Sequence, residues 1–174
     1  MKESLGKLWR ILSLPKNLQL SIMRLTQNEF LIGVTGVIVN EKNEVLICKH
    51  IYRQNQWSLP GGYIKGKEHP KEGLVREIEE ETGFIVRIGE QLSIRTDRET
   101  ARLDISFAGN FVGGEFRPSN EVSEAQFFAF ENLPLLPQNQ LLLIKEVLQR
   151  RPMMLVLDKS PKTIFNKLQS LFVR

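Results

Sequence analysis

Residues 62–84 read GYIKGKEHPKEGLVREIEEETGF, and this stretch carries the strongest structural signal in the chain. It predicts a helix from His69 to Thr82, because Pro70 lies near the first turn and Gly83 lies just past the end. A Pro-Gly-Gly turn at 60–62 precedes it, and glycine lets the backbone come close to a ligand because it has no side chain. The sequence therefore predicts a glycine-rich loop that leads into a helix.

The predicted helix has an acidic face. Glu77, Glu80 and Glu81 stand at i, i+3 and i+4 and share that face, whereas Glu79 lies about 200° around the axis from Glu77. Like charges at this spacing destabilise a helix, so a compensating charge is expected. Mg²⁺ meets this need, because it prefers oxygen ligands and keeps positions open for phosphate and water. A merely solvated acidic face is the alternative, and the glycine-rich approach argues against it.

The spacing of the fixed residues resembles the Nudix box, G-x5-E-x7-R-E-U-x-E-E-x-G-U, in which U is a bulky apolar residue. The matching residues are Gly62, Glu68, Arg76, Glu77, Ile78, Glu80, Glu81, Gly83 and Phe84. Every fixed position matches, although Phe84 stands where an aliphatic residue is more usual. With average residue usage, a chance match is on the order of one in ten million. The chain is therefore identified as a member of the Nudix hydrolase family.

The resemblance implies a fold and a metal site. The fold would be α+β, a Nudix-type α/β/α sandwich around a mixed sheet, with extra helices at both ends. Mg²⁺, with Mn²⁺ as a substitute, would be held by the carbonyl of Gly61 and the carboxylates of Glu77, Glu80 and Glu81. Arg76 would orient a carboxylate, with Glu77 as the first candidate, through a charge-assisted hydrogen bond. Glu68 would support the metal shell or its waters.

The resemblance leaves the general base open, because the base varies within the family. Glu77 is the candidate inside the box. Glu121, in the segment PSNEVSE at 118–124, sits where many relatives carry an acidic residue, although a solvated loop charge explains it equally well. Glu115 is a weaker candidate, since an acid beside a Gly-Gly turn is usually only solvated.

Substrate contacts are expected from outside the box. Arg53 and Trp57 lie just upstream of the box and, together with Gly62 at the start of the box, are the candidate substrate-binding residues, although Trp57 is explained more readily by packing. Further candidates for contact with base or phosphate are Tyr52, Arg95, Arg98 and Arg102. For each of these alone, a solvated or core position is the simpler explanation. His50 and His69 are interpreted as surface or capping residues, because nothing pairs them at metal-ligand spacing.

The remaining elements predict one catalytic domain with two additions. Short helices are predicted within 1–29, and the Nudix domain spans 30–150. Within it we predict a hairpin of Phe30–Asn40 and Val45–His50, strands at Phe84–Ile88, Gln91–Thr96, Leu103–Val112 and Ala125–Phe130, and a turn at Gly113-Gly114. A helix at Gln138–Gln149 would turn Leu141, Leu142, Ile144, Val147 and Leu148 inward. An amphipathic tail at 151–174 would pack on the domain or on a partner subunit.

The composition is that of a globular domain with a basic surface. The 174 residues carry a net charge of +4, which favours phosphorylated substrates but also allows nucleic acid or a membrane surface as partners. Neither is favoured, and a homodimer built by the terminal helices stays open. No apolar stretch is long enough to span a bilayer. The single cysteine, Cys48, is expected to be a buried thiol, which suits a cytoplasmic protein.

The leading functional hypothesis is hydrolysis of a diphosphate linkage in a nucleoside diphosphate joined to another moiety, by a metal-activated water. The first alternative is a pyrophosphohydrolase of RNA 5′ ends, because the chain is basic. The second, from another class, is a nucleotide-binding sensor that keeps the fold without catalysis. The intact set of Glu77, Glu80 and Glu81 argues against the sensor.

Overall fold

A computed structural model of the chain describes residues 15–16, 30–52, 57–97 and 99–158, with side chains described up to residue 150. Apart from residues 15–16, the predicted helical extension at 1–29 lies outside these ranges, as does the predicted helix near 161–172. Arg53 and Arg98 also lie outside them.

In the part of the chain that the structure describes from residue 30 onward, seven strands form one mixed sheet that packs with two helices. The strands are β1 (Leu31–Val39), β2 (Val45–His50), β3 (Trp57–Ser58), β4 (Gly61–Tyr63), β5 (Phe84–Asp97), β6 (Arg102–Gly114) and β7 (Val122–Phe128). The helices are α1 (Pro70–Thr82) and α2 (Gln138–Asp158), and a 3-10 turn covers Phe130–Asn132. The strand order is β3-β2-β1-β6-β5, with β4 paired to β1 and β7 paired to β2. β1 and β6 run parallel, and the other pairings between described strands are antiparallel.

The two central strands divide the apolar core into two layers. Successive side chains of a strand point to opposite faces, so a strand buried on both sides contributes to both layers. The layer under α1 contains Val34, Ile38, Leu46, Cys48, Leu74 and Ile78. The layer under α2 contains Val37, Val39, Val45, Ile47, Ile144 and Val147. The predicted α/β/α sandwich and the buried position of Cys48 are therefore confirmed.

The predicted hairpin between β1 and β2 is also present, with Val39 opposite Val45. Its turn is closed by Asn40, whose side-chain oxygen accepts hydrogen bonds from the backbone N–H groups of Lys42 and Glu44, both at 2.9 Å. A polar side chain that satisfies its own turn in this way fixes the register of the two strands.

Local sequence signals set both ends of α1. At the start, the side chain of Glu72 accepts a hydrogen bond from the backbone of His69, whose ring accepts one from the backbone of Lys71. This reciprocal pair satisfies N–H groups that the first turn leaves open, and it confirms His69 as a capping residue. At the end, Gly83 has φ of 75° and donates its N–H to the carbonyl of Glu79 at 2.8 Å. A left-handed residue at this position favours glycine.

Several sequence predictions need correction. The two strands predicted at 84–96 are one continuous strand with bulges, because β6 pairs along its whole length. Gly113-Gly114 is not a turn, since both residues pair with the start of β5. The strand predicted at Ala125–Phe130 lies earlier, at Val122–Phe128. The segment Trp57–Gly62, expected only as a turn, contains β3 and the start of β4.

Three further corrections concern the side chains of Leu142 and His50 and the end of α2. Leu142 is 61% exposed rather than inward-facing. The reason is that it lies about 160° around the axis from the buried Ile144. His50, expected at the surface, is buried. Helix α2 continues to Asp158, beyond its predicted end at Gln149. Among the described residues, no helix is both long and apolar enough to cross a membrane.

The cap at Gly83 gives a stability prediction. A Cβ at this position would lie 2.6 Å from the carbonyl oxygen of Glu115. The alanine backbone would also have to keep the left-handed φ of 75°, which residues with a side chain rarely adopt. Gly83→Ala should therefore lower the free energy of unfolding by about 1–3 kcal/mol, measured by urea titration. Gly66→Ala is the control, because a Cβ there meets nothing within 4 Å. An equal loss of unfolding free energy in the two variants would show that a side chain at residue 83 causes no particular strain.

Candidate functional site

The glycine-rich turn and the acidic helix meet at Gly62. β4 pairs with β1 so that Gly61 lies opposite Thr35 and Gly62 lies opposite Val34. The carboxyl group of Glu77 lies so close to Gly62 that a Cβ on residue 62 would overlap it. The close approach is possible only because residue 62 has no side chain, and it brings the main chain of the turn beside the acidic face of α1.

Arg76 connects the loop before α1 to the acidic face. Its Nε and Nη2 donate to the two carboxylate oxygens of Glu68, at 2.6 and 3.0 Å. Its Nη1 donates to Glu77 at 2.6 Å and to Glu80 at 2.9 Å. Nη2 also donates to the backbone carbonyl of Tyr63 at 3.1 Å. The planar guanidinium therefore orders three carboxylates at once, and one of the pairs is bidentate.

This network shifts the pKa values of both partners in the bidentate pair, Glu68 and Arg76. The hydrogen bond from Arg76, supported by the backbone N–H of Lys65, lowers the pKa of Glu68 from its ordinary 4.5 to about 2. The hydrogen bond to Glu68 in turn raises the pKa of Arg76, and the bonds to Glu77 and Glu80 act in the same direction. Glu68 is therefore an ion across the whole physiological pH range.

The other box carboxylates differ in exposure. Glu80 is 54% exposed and has Lys65 Nζ at 3.5 Å, whereas Glu81 is only 4% exposed. Within the described ranges, no three His, Cys, Asp or Glu side chains converge at metal-binding spacing. Glu77 and Glu80 instead both point one oxygen at Arg76 Nη1.

A polar cleft lies beside the glycine-rich turn. It consists of two adjoining cavities of about 340 and 480 Å³, and Gly61 and Gly62 line the smaller one. The residues common to both cavities are Thr35, Arg102, Asp104 and Gln140. Strands β1, β4 and β6 and the first turn of α2 therefore contribute to this cleft next to the glycine-rich turn.

Arg102 is held in place within this cleft. Its Nε and Nη2 donate to the same oxygen of Asp104 at 3.0 and 2.8 Å. These bonds, and a weaker one with the Tyr63 side chain, raise the pKa of Arg102. The cleft therefore contains a fixed positive charge, with acidic and neutral polar groups around it.

The comparison with protein families agrees with this geometry. The model of the Nudix domain matches residues 29–150, which is more than half of the chain. The chain belongs to the Nudix family. It is accordingly a hydrolase that acts on diphosphate bonds. Nudix hydrolases generally use divalent metal ions.

The chain is similar to relatives that are named for different substrates. The chain is 32% identical over 127 residues to an ADP-ribose pyrophosphatase of Methanocaldococcus jannaschii, covering 68% of this chain and 73% of that protein. It is 27% identical over 95 residues to an RNA pyrophosphohydrolase of Zymomonas mobilis, covering 54% of this chain and 61% of that protein. A crystal structure of an ADP-ribose pyrophosphatase from Streptococcus suis superposes with a TM-score of 0.59 at 26% identity, covering 68% and 92% of the two chains.

The remaining candidate residues of this Nudix domain are dispersed. The Trp57 ring packs edge-to-face on Phe128 at 5.6 Å between centroids, which agrees with a packing role. Glu121 is exposed, and its backbone carbonyl accepts a hydrogen bond from the N–H of Ile51 at 3.0 Å. Arg95 lines the larger cavity. The structure therefore groups Glu68, Arg76, Glu77 and Glu80 in one hydrogen-bonded network.

Three residues of the site were missed by sequence reasoning. Asp104 could have been found, because it stands two residues after Arg102 on a strand and therefore on the same face. Tyr63 contributes a carbonyl to Arg76, and no side-chain pattern reports such a contact. Gln140 carries no motif at all, since it reaches the cleft only through the packing of α2.

The Glu68 pair gives a pH prediction. Because the pKa of Glu68 is lower in the folded chain than in the unfolded one, the unfolded chain binds more protons as the pH falls. The ionised Glu68 therefore stabilises the folded chain fully above about pH 4.5, and this contribution to the free energy of unfolding is lost progressively as the pH falls toward 2. The difference in unfolding free energy between wild type and Glu68→Gln should shrink over that range, measured by urea titration in EDTA.

The control for this measurement is the same pair of chains with Arg76→Gln. Without the guanidinium, the main cause of the lowered pKa is absent, so the effect of Glu68→Gln should depend much less on pH. An equally steep dependence in the Arg76→Gln background would show that Arg76 is not the cause.

Proposed function

We propose that the protein hydrolyses the diphosphate linkage of a nucleoside diphosphate joined to another moiety, such as a nucleotide sugar, ADP-ribose or a nucleoside triphosphate. The observation that carries this proposal is the contact between Glu77 and Gly62, which sets the acidic face of α1 beside the polar cleft. The likeness to the ADP-ribose pyrophosphatase of M. jannaschii supports the same class of substrate.

The cofactor we propose is Mg²⁺, with Mn²⁺ able to substitute. The donor set fits a hard divalent cation, because the carboxylates of Glu77, Glu80 and Glu81 and the carbonyl of Gly61 all offer oxygen. The space at Gly62 fits as well, since a larger residue there would displace the carboxyl group of Glu77. When bound, the ion would neutralise charge on the diphosphate and make the attacking water more acidic.

The network around Arg76 would prepare the carboxylates for this role. Arg76 fixes the directions of Glu77 and Glu80, and Glu68 fixes Arg76 from the loop. Such secondary contacts orient metal-binding groups, and their loss commonly costs 10–100-fold in affinity or activity. Glu68 and Arg76 would therefore contribute without contacting the substrate.

The attacking water must transfer a proton to a carboxylate as it approaches phosphorus. Glu77 is the candidate that lies within the site, and Glu121 is the candidate from a later loop. The position of Glu77 supports this candidate, because its carboxyl group lies beside Gly62 in the glycine-rich turn.

Substrate binding would use the cleft beside Gly62. Arg102 offers a positive charge that Asp104 holds in place, which suits a phosphate or an acidic group of the substrate. Arg53 remains a candidate for phosphate contact. Trp57 is a weaker candidate for substrate binding than Arg53, because its ring already packs on Phe128.

Replacement of single box carboxylates tests the proposed metal shell. Glu80→Gln and Glu81→Gln should each lower kcat on the order of 100-fold, because charge is lost while volume is kept. Glu79→Gln is the matched control, since Glu79 is an exposed residue of the same helix that is not among the proposed ligands. Urea titration should show all three variants folded. Near-normal turnover in Glu80→Gln or Glu81→Gln would remove that residue from the shell.

A substrate panel tests the activity itself. Product release would be measured with Mg²⁺ for nucleotide sugars, ADP-ribose, nucleoside triphosphates, dinucleoside polyphosphates and 5′-triphosphorylated RNA. We expect nucleoside diphosphates linked to a second moiety to be cleaved, and excess EDTA to abolish cleavage reversibly. Activity that survives EDTA would contradict the metal mechanism. Tight nucleotide binding without cleavage would instead indicate a sensor.

The second candidate is hydrolysis of RNA 5′ ends. Two observations favour it, namely the net charge of +4 and the likeness to the RNA pyrophosphohydrolase of Z. mobilis. A protein that neutralises several RNA phosphates loses affinity steeply with salt. Preferential cleavage of triphosphorylated RNA in the panel, with steeply salt-dependent binding, would place this candidate first.

We further propose a cytoplasmic enzyme that acts on small phosphorylated molecules. The buried thiol of Cys48 fits a reducing compartment. A homodimer built through the terminal segments stays a hypothesis, and sedimentation of the full-length chain and of a chain lacking residues 151–174 would test it.

A further inference from the structure

We propose that Gln140, on the first turn of α2, is a positioning residue that holds the Gly61 carbonyl in place and at the same time contacts the substrate. The proposal rests on the function proposed above, because it concerns the same cleft. It adds a residue that lies 78 positions after the start of the Nudix box and belongs to no motif of the chain.

The first observation is a hydrogen bond that joins two distant segments. The backbone N–H of Leu59 donates to the side-chain oxygen of Gln140 at 2.9 Å, across 81 positions of sequence. Leu59 is 2% exposed and follows directly after β3, which ends at Ser58. A buried N–H group that leaves a strand needs a partner, and Gln140 supplies one.

The second observation is how the following residues are held. The Pro60 carbonyl accepts from the N–H of Gly36 at 3.0 Å, and Gly61 and Gly62 pair with Thr35 and Val34. Those contacts all come from β1. Gln140 therefore adds a contact from helix α2, outside the sheet, to Leu59, two residues before Gly61. Freed from Gln140, Leu59 and Pro60 could rotate and carry the Gly61 carbonyl with them.

The third observation is that Gln140 lines both cavities of the cleft. Its side-chain oxygen is committed to Leu59, while its Nε2 makes no hydrogen bond to another described residue. A carboxamide has two donors on that nitrogen. Because both cavities are open beside Gln140, Nε2 is placed to donate to an oxygen of the substrate. One side chain would then link the occupied cleft to the carbonyl at the metal site.

Three substitutions separate the two halves of this role. Gln140→Leu removes both the acceptor and the donor. Gln140→Asn keeps the chemistry but is one methylene too short to reach Leu59. Gln140→Glu keeps the acceptor for Leu59 and removes the donor. Gln149→Leu is the control, because Gln149 is exposed on the same helix and does not line the cleft.

Hydrogen exchange at the Leu59 amide, followed by NMR, reports the bond without any metal or substrate. We expect exchange at least about 10-fold faster in Gln140→Leu and Gln140→Asn, and near wild-type rates in Gln140→Glu and Gln149→Leu. Binding of Mn²⁺, measured by electron paramagnetic resonance, should weaken by roughly 10-fold in the first two variants only. In Gln140→Glu we expect KM to rise with kcat nearly unchanged.

Unchanged Leu59 exchange in both Gln140→Leu and Gln140→Asn would overturn the proposal. So would faster exchange together with wild-type Mn²⁺ affinity, since the bond would then be structural only. If wild type cleaves nothing in the panel, the proposed function fails, while exchange and Mn²⁺ binding still decide whether Gln140 positions the turn. Because Gln140→Asn and Gln140→Glu keep a polar side chain, the outcome does not depend on the folding of Gln140→Leu.

Discussion

The guanidinium of Arg76 is the contact on which the site depends. Two carboxylates on neighbouring turns of one helix repel each other, and Nη1 of Arg76 lies between Glu77 and Glu80 and offsets that repulsion. The Nε and Nη2 edge of the same guanidinium binds Glu68, which lies in the preceding loop. A lysine could provide the charge but not this geometry, because its ammonium is a single point with no fixed plane. One side chain thus sets both the loop and the direction of the acidic face.

Strand β1 is the second constraint, because it supports both halves of the site. Its alternation sends Val34 and Ile38 under α1, while Thr35 lines the cleft. Its edges also pair with β4 and β6, which carry Gly61 and Arg102. A change in the register of β1 would therefore alter the packing under the acidic helix and the lining of the cleft together. Burial on both faces makes such a slip costly, since every apolar side chain would change layer.

The parts of the fold that the sequence predicts are those with local causes. The ends of α1 follow from His69, Pro70 and Gly83, and the hairpin follows from two apolar runs around a polar turn. The predicted inward position of Leu142 is wrong, because a residue two positions from the buried Ile144 points to the other side of the helix. The contact of Gln140 with Leu59 has no local cause at all, since it appears only when α2 packs on the sheet. The box residues were found because their spacing is fixed, whereas cleft residues such as Asp104 follow no such spacing.

The charges of the site explain why a basic chain carries an acidic centre. Glu68, Glu77 and Glu80 face Arg76 and Lys65, so this part of the surface is not positive. A diphosphate brings further negative charge, and alone it would be repelled by the acidic face of α1. Under the proposed function, the divalent cation reconciles the two, because it is attracted by the carboxylates and attracts the phosphates. Arg102 would then bind a phosphate or an acidic group of the substrate, while the net charge of +4 would attract the substrate from a distance.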